Sequence, residues 1–167
     1  MRTFGCYNPR LLPGECGLSS MYQHLLVPID GSELFERATG ASLELARKVG
    51  AQVTGFVVEP FPPLPDLGSH PIAYGREADE HLVRTEAHAH EVLGQFAARA
   101  AAQGVPFEGR FKRTDSVDDA ILDAAAEYGC DVIVMVTHGR GVFGELLFGS
   151  HTKNLLARTK LPLLVLH

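Results

Sequence analysis

From Gln23 onward the chain alternates between two hydrophobic rhythms. Short apolar runs at His24–Ile29, Gln52–Val58, Val105–Lys112, Asp131–Val136 and Pro162–Leu166 read as strands. Between them the apolar positions step by three or four residues, as on one face of a helix. Leu34, Ala38, Ala41, Leu45 and Val49 form the first such stripe, with Ser32 as its candidate cap and Gly50 as its stop. Leu82, Ala89, Val92, Phe96 and Ala100 mark a long second helix from about Arg76 to Gln103, after the proline-dense connection Pro60 to Pro71. Ser116, Asp118 and Asp119 supply a cap and first-turn acids for a third helix faced by Val117, Ile121, Ala124 and Tyr128, and Ser150–Thr159 reads as a fourth.

Strands buried on both faces read as continuous apolar runs, because helices cover a parallel sheet from either side. The expected fold is therefore α/β: a doubly wound, open, five-stranded parallel sheet in a single domain. Residues 1–20 show no sustained period and read as a loose N-terminal extension, with Met21 a candidate biological start and 21–167 the folded domain. In such sheets ligands sit beyond the carboxyl ends of the strands, where strand order reverses. The informative residues should follow strands one, two and four.

Composition narrows the classes of function. With 167 residues, 46% of them apolar, the chain has enough hydrophobic surface for one core. No apolar run approaches the roughly 20 residues of a membrane span, and no secretory h-region is visible, so the expected location is the cytoplasm. A net charge of -5 gives no electrostatic footprint for nucleic acid. Cys6, Cys16 and Cys130 are too few and too scattered for a disulfide framework, and Cys130 reads as a buried filler. His81 and His88 stand two helical turns apart, wider than the usual metal-binding pair, and no protein metal ligand is expected. No spacing suggests a catalytic triad, so no catalytic residue is assigned.

The most unusual stretch follows the fourth strand, from Thr137 to Thr152. Its glycines let backbone amides approach a ligand, and Gly149-Ser150 stands where a helix begins, offering unpaired N–H groups to a phosphate. Gly139-Arg140-Gly141-Val142-Phe143-Gly144 matches a dinucleotide fingerprint literally. That fingerprint needs an acidic residue about 20 positions on, and none follows Glu145. Gly144-x4-Gly149-Ser150-His151 resembles half of a Walker A loop but lacks its lysine, which disfavours hydrolysis of the P-loop kind.

A third reading rests on resemblance. Leu26-Val27-Pro28-Ile29-Asp30-Gly31-Ser32, Asp131–Met135 with Thr137-His138-Gly139-Arg140, Leu146–Ser150 and the closing Leu161–Leu166 resemble a universal stress protein domain over Gln23–His167. The resemblance implies a Rossmann-like fold akin to the adenine nucleotide alpha hydrolases. ATP-binding members have the pattern G-x2-G-x9-G-[ST]. Here Gly139 and Gly149 fill its second and third glycines, Ser150 follows, and Val136 replaces the first. A β-branched side chain there hinders close approach of the nucleotide, though it suits the extended backbone.

Carried over by position, the resemblance implies that Pro28, Ile29 and Asp30 line the adenosine, with Asp30 accepting from a ribose hydroxyl or the base. It implies Val57 at the adenine border, and Met135, Val136 and Gly139 as the floor. Arg140, Gly149, Ser150, His151 and Thr152 would face the phosphates, through backbone amides and the two hydroxyls. The implied cofactor is ATP, with Mg or Mn, held as a regulatory ligand in stress response with slow hydrolysis or none.

Two alternatives stand beside it: a family member without nucleotide, acting as a dimeric interaction module, and an adenylating ligase. The ligase loop S-G-G-x-D-S has no counterpart at Asp30-Gly31-Ser32-Glu33. A strongly apolar last strand, placed at a sheet edge by the resemblance, implies a homodimer through Pro162–Leu166.

Overall fold

The computed structural model describes residues 22–32, 34–65, 71–136 and 150–166. Residues 1–21, with Cys6 and Cys16 among them, and residues 137–149 lie outside them. In chain order the elements are β1 (His24–Pro28), α1 (Phe35–Val49), β2 (Gln52–Glu59), α2 (Pro71–Ala102), β3 (Phe107–Arg113), α3 (Val117–Glu127), β4 (Val132–Val136), α4 (Ser150–Arg158) and β5 (Leu163–Leu166). The strands form one parallel sheet in the order β3-β2-β1-β4-β5. This is the doubly wound α/β sheet expected from the apolar runs.

Successive residues of a strand point to opposite faces, and here each face has its own core. Leu25, Val27, Val53, Val57, Val132 and Val134 pack beneath α1 and α2, with Phe35, Leu43, Val92 and Phe96. Leu26, Phe56 and Ile133 pack on the other side with Ile121, Ala124 and Leu155 of α3 and α4. The chain crosses from one face to the other between α2 and α3. Strands β1 and β4, which lie side by side, therefore carry their following helices on opposite faces, and a crevice opens at their carboxyl ends.

Element boundaries shift where local chemistry overrides periodicity. The second helix starts at Pro71, not near Arg76. A proline fits the first turn of a helix, where its missing N–H would have no partner anyway. Strand β3 begins at Phe107, after Pro106, whose carbonyl still accepts from the Val53 N–H at 2.9 Å. Gly50 ends α1 as expected, in the left-handed conformation at φ 72° with its N–H on the Ala46 carbonyl.

The buried stripe of α1 is rotated from the expected one. Ala38 faces the core, but its companions are Phe35, Thr39, Ser42, Leu43 and Ala46, while Leu34, Ala41, Leu45 and Val49 are half-buried. Thr39 is buried because its hydroxyl donates to the Phe35 carbonyl at 2.8 Å, so its polarity is satisfied within the helix. Ser32 is not the helix cap. The cap position is Leu34, whose N–H donates to Ser32 Oγ at 3.4 Å, one turn-residue before the helix proper. Ser116 holds the cap position of α3 without a side-chain capping bond.

Candidate functional site

A cavity of about 380 Å³ opens at the carboxyl ends of β1 and β4. Three chain segments close it on the sequence-expected sides. Pro28, Ile29 and Asp30 enter from the end of β1, Met135 and Val136 from the end of β4, and His151 and Thr152 from the first turn of α4. The structure thus brings seven of the expected residues to one place. Ser150 is the first residue of α4, and Gly139, Arg140 and Gly149 lie outside the described residues.

Val57 does not border this cavity. It is fully buried on the opposite face of the sheet, beneath α1 and α2. Its neighbours Phe56 and Val58 form the β2 wall instead, because alternate residues of a strand share a face. Sequence reasoning also missed Leu34, Phe35 and Ala38 from the start of α1, and Val117 and Ile121 from α3. The signal available for the α3 pair was the switch of faces that a doubly wound topology imposes.

The walls are mostly apolar; of the polar lining residues, Asp30 and His151 are exposed and Thr152 is buried. Asp30 closes the turn after β1: its Oδ1 accepts from the Ser32 N–H at 3.0 Å, and Gly31 between them is left-handed at φ 72°. Across the cavity, the first turn of α4 brings the positive end of a helix to the rim. Among the described residues no lysine or arginine lines the cavity.

The rim is braced from α3. His151 Nδ1 lies 2.6 Å from Asp118 Oδ1, and the Asn154 amide donates to Asp118 Oδ2 at 2.7 Å. Arg158 pairs with Asp119 one turn further along. Burial pushes the Asp118 carboxyl up, but hydrogen bonds from Asn154 and His151, and the charges of His151 and Arg158, outweigh it and hold the group below the usual carboxylate range. The two acids read from sequence as dipole partners of α3 therefore also tie α4 to α3.

Two other polar clusters serve the scaffold. At the amino end of the sheet, Asp131 accepts from the Gln23 N–H at 2.7 Å and the His24 N–H at 3.1 Å, and His24 Nε2 meets Thr54 Oγ1 at 2.7 Å. Burial lowers the His24 imidazole below its ordinary value. On α2, His81 Nε2 meets the Pro60 carbonyl at 3.3 Å and His88 Nδ1 meets Glu59 Oε1 at 2.7 Å. Among the described residues no three His, Cys, Asp or Glu side chains are grouped to hold a metal ion, and no helix is long and apolar enough to cross a membrane.

Comparison with known proteins agrees with this architecture. The model of the universal stress protein family matches residues 21–167. A universal stress protein encoded in the QAH/OAS sulfhydrylase 3′ region of Thermus aquaticus is 32% identical over 145 residues, spanning 87% of this chain and 98% of that protein. A crystal structure from the same family in Burkholderia pseudomallei superposes with a TM-score of 0.64 at 29% identity, covering 88% of this chain and 97% of the other. The universal stress protein of Archaeoglobus fulgidus in complex with dAMP shares the fold, with a TM-score of 0.60 at 23% identity over 88% of this chain and 99% of that one. The chain belongs to the universal stress protein family.

Proposed function

We propose that this protein binds ATP, with Mg or Mn, as a regulatory ligand in stress response, and hydrolyses it slowly or not at all. The observation that carries the reading is the cavity at the switch between β1 and β4, apolar along its walls and closed at one end by the first turn of α4. Its volume of about 380 Å³ lies in the roughly 300–1,000 Å³ range of small-molecule sites. Ile29, Val58, Met135 and Val136 offer an apolar slot for a purine. Asp30 offers an acceptor for a ribose hydroxyl, and the helix terminus offers N–H donors for phosphate. The dAMP held by the Archaeoglobus fulgidus relative supports an adenine nucleotide as the ligand class.

The test is binding by the full chain. Mass spectrometry of ligand released from freshly purified protein should find an adenine nucleotide, and millimolar Mg-ATP should raise Tm by mass action. No shift and no bound nucleotide would remove the reading.

One observation favours a second reading, a dimeric interaction module without nucleotide: Val136 lines the cavity where the ATP-binding pattern has glycine. Dimerisation fits either reading. Strand β5 stands at the sheet edge, all four of its residues are apolar and half-buried, and Leu156 of α4 is exposed. An apolar edge strand of this kind, with no further strand beside it among the described residues, can pair with a second copy, and light scattering at micromolar concentration should give twice the monomer mass.

A further inference from the structure

We propose that residues 60–65, the start of the proline-dense connection after β2, are a docking segment. They stand on the surface as a short polyproline helix, read by a partner protein through a groove lined with aromatic rings. The inference is independent of the nucleotide reading above.

The conformation follows from the sequence. Pro60, Pro62, Pro63 and Pro65 have φ fixed at about −65° by their rings. Phe61 and Leu64, the residues between them, each precede a proline, which drives them from the helical region to extended backbone. Every position is therefore held to the polyproline region, and none of these residues lies in a helix or strand. At three residues per turn, Phe61 and Leu64 fall on one edge, and Pro60 and Pro63 on the next. Two overlapping P-x-x-P units result, Pro60-x-x-Pro63 and Pro62-x-x-Pro65.

The fold presents the segment to solvent. Leu64 is 89% exposed and Phe61 51%, and Pro60, Pro63 and Pro65 are exposed beside them, while Pro62 is half-buried. The foot is pinned from two elements. His81 Nε2 of α2 donates to the Pro60 carbonyl at 3.3 Å, and the Phe61 N–H donates to Asp115 Oδ1 at 3.2 Å. Pinning and proline together remove much of the ordering cost that a free peptide meets on binding. Among the described residues nothing bonds to the carbonyls of Pro62, Pro63 or Leu64, so they are open to donors from a partner.

The chemistry selects the occupant. An added β-strand is a poor reader, because only Phe61 and Leu64 carry N–H groups and the first is already given to Asp115. An anionic membrane finds no base, since no Lys or Arg stands within residues 59–75. The same absence disfavours proline-binding grooves with an acidic pocket for a basic residue. The charges that adjoin the segment are acidic: Asp115 at its foot, and Asp66 next in sequence. The matching groove is of the WW kind, with aromatic rings for the prolines and Leu64, no acidic pocket, and an indole or phenol donor for the free carbonyls.

Titration of an isolated WW domain, of the class that reads Pro-Pro-Leu-Pro, with the full chain tests this. The chain contains no tryptophan, so indole emission reports the WW domain alone. A saturable change in that emission is expected with the wild type. Pro63→Ala and Leu64→Asp should each weaken binding about tenfold or more, a loss of roughly 1.4 kcal/mol. Leu64→Asp should melt within about two degrees of the wild type, because so exposed a side chain supports nothing in the fold. An SH3 domain with an acidic pocket should give no saturable change. No binding of the WW domain by the folded wild type, unaltered affinity in both variants, or equal binding by the SH3 domain would each overturn the inference. Light scattering on Leu64→Asp should return the wild-type mass. A lower mass would show that a second copy of the chain covers the segment, and would overturn the inference too.

Discussion

His88 sits against the backbone of Gly31, with its Nδ1 held 2.7 Å from Glu59 Oε1 and its Nε2 2.9 Å from where a Cβ on Gly31 would stand. Such a Cβ would also meet Val92 Cγ2 at 2.7 Å, and Gly31 is left-handed at φ 72°. The turn that presents Asp30 to the cavity is therefore closed tightly on α2, and only glycine fits. Gly31→Ala should cost about 1–3 kcal/mol from backbone strain and overpacking. A fall in Tm of several degrees, with weaker nucleotide binding, is the expected measurement. His88→Ala in the same background should recover part of the loss by removing one of the two obstructing side chains.

Val57 and Val58 are adjacent but belong to different halves of the molecule, the first in the core beneath α1 and α2, the second on the cavity wall. Val57→Ala should destabilise the fold by on the order of 2 kcal/mol and leave ligand affinity unchanged. Val58→Ala should cost about 1 kcal/mol or less and reduce nucleotide affinity severalfold. Chemical denaturation and calorimetry on the two variants separate the effects, and equal affinity losses would contradict the assignment of faces.

The strands and the doubly wound order were legible because the apolar runs and the helical stripes differ in period, and Gly50 marks a boundary that the backbone requires. The end of β1 was legible at Asp30 because a turn residue after a buried run has few other uses. The parity of β2 was not: with both faces buried, Thr54 through Val58 carry no polar alternation to say which residue points where. The α1 stripe was hidden for a related reason, since Thr39 conceals its hydroxyl on the Phe35 carbonyl and so behaves as a core residue. The Asp118–His151 bond joins residues 33 positions apart and depends on how α3 meets α4, which no local pattern encodes.

Burial pushes the Cys130 thiol up to about 11, despite a hydrogen bond with Thr54 that acts the other way. The thiolate is the reactive form, so at pH 8 the native thiol should be nearly inert to alkylation and should react only after unfolding. The sign for stability follows. A raised pKa means that the contribution is fully present below the unfolded thiol range and is lost as pH rises toward 11. Peptide mapping after iodoacetamide treatment, with and without denaturant, should show Cys130 labelled only in the denatured sample. Rapid labelling of the native protein at pH 8 would contradict the buried, protonated thiol.

Val136 is the last residue of β4, pairs in register with Leu166 of β5, packs against the core beneath α1 and α2, and lines the cavity. Replacing it by glycine does two opposed things. It removes a β-branched residue from a strand and deletes half-buried apolar surface, which should lower stability by about 1–2 kcal/mol. It also opens the floor to closer approach of a nucleotide. If the wild-type cavity holds ATP as proposed, Val136→Gly should bind Mg-ATP severalfold more tightly while melting several degrees lower without ligand. The two effects separate in a thermal titration, because the ligand-free Tm reports the strand and the slope of Tm against nucleotide concentration reports the site. Binding that appears only in Val136→Gly would instead assign the wild-type protein to the interaction-module reading, with the valine side chain as the group that closes the site.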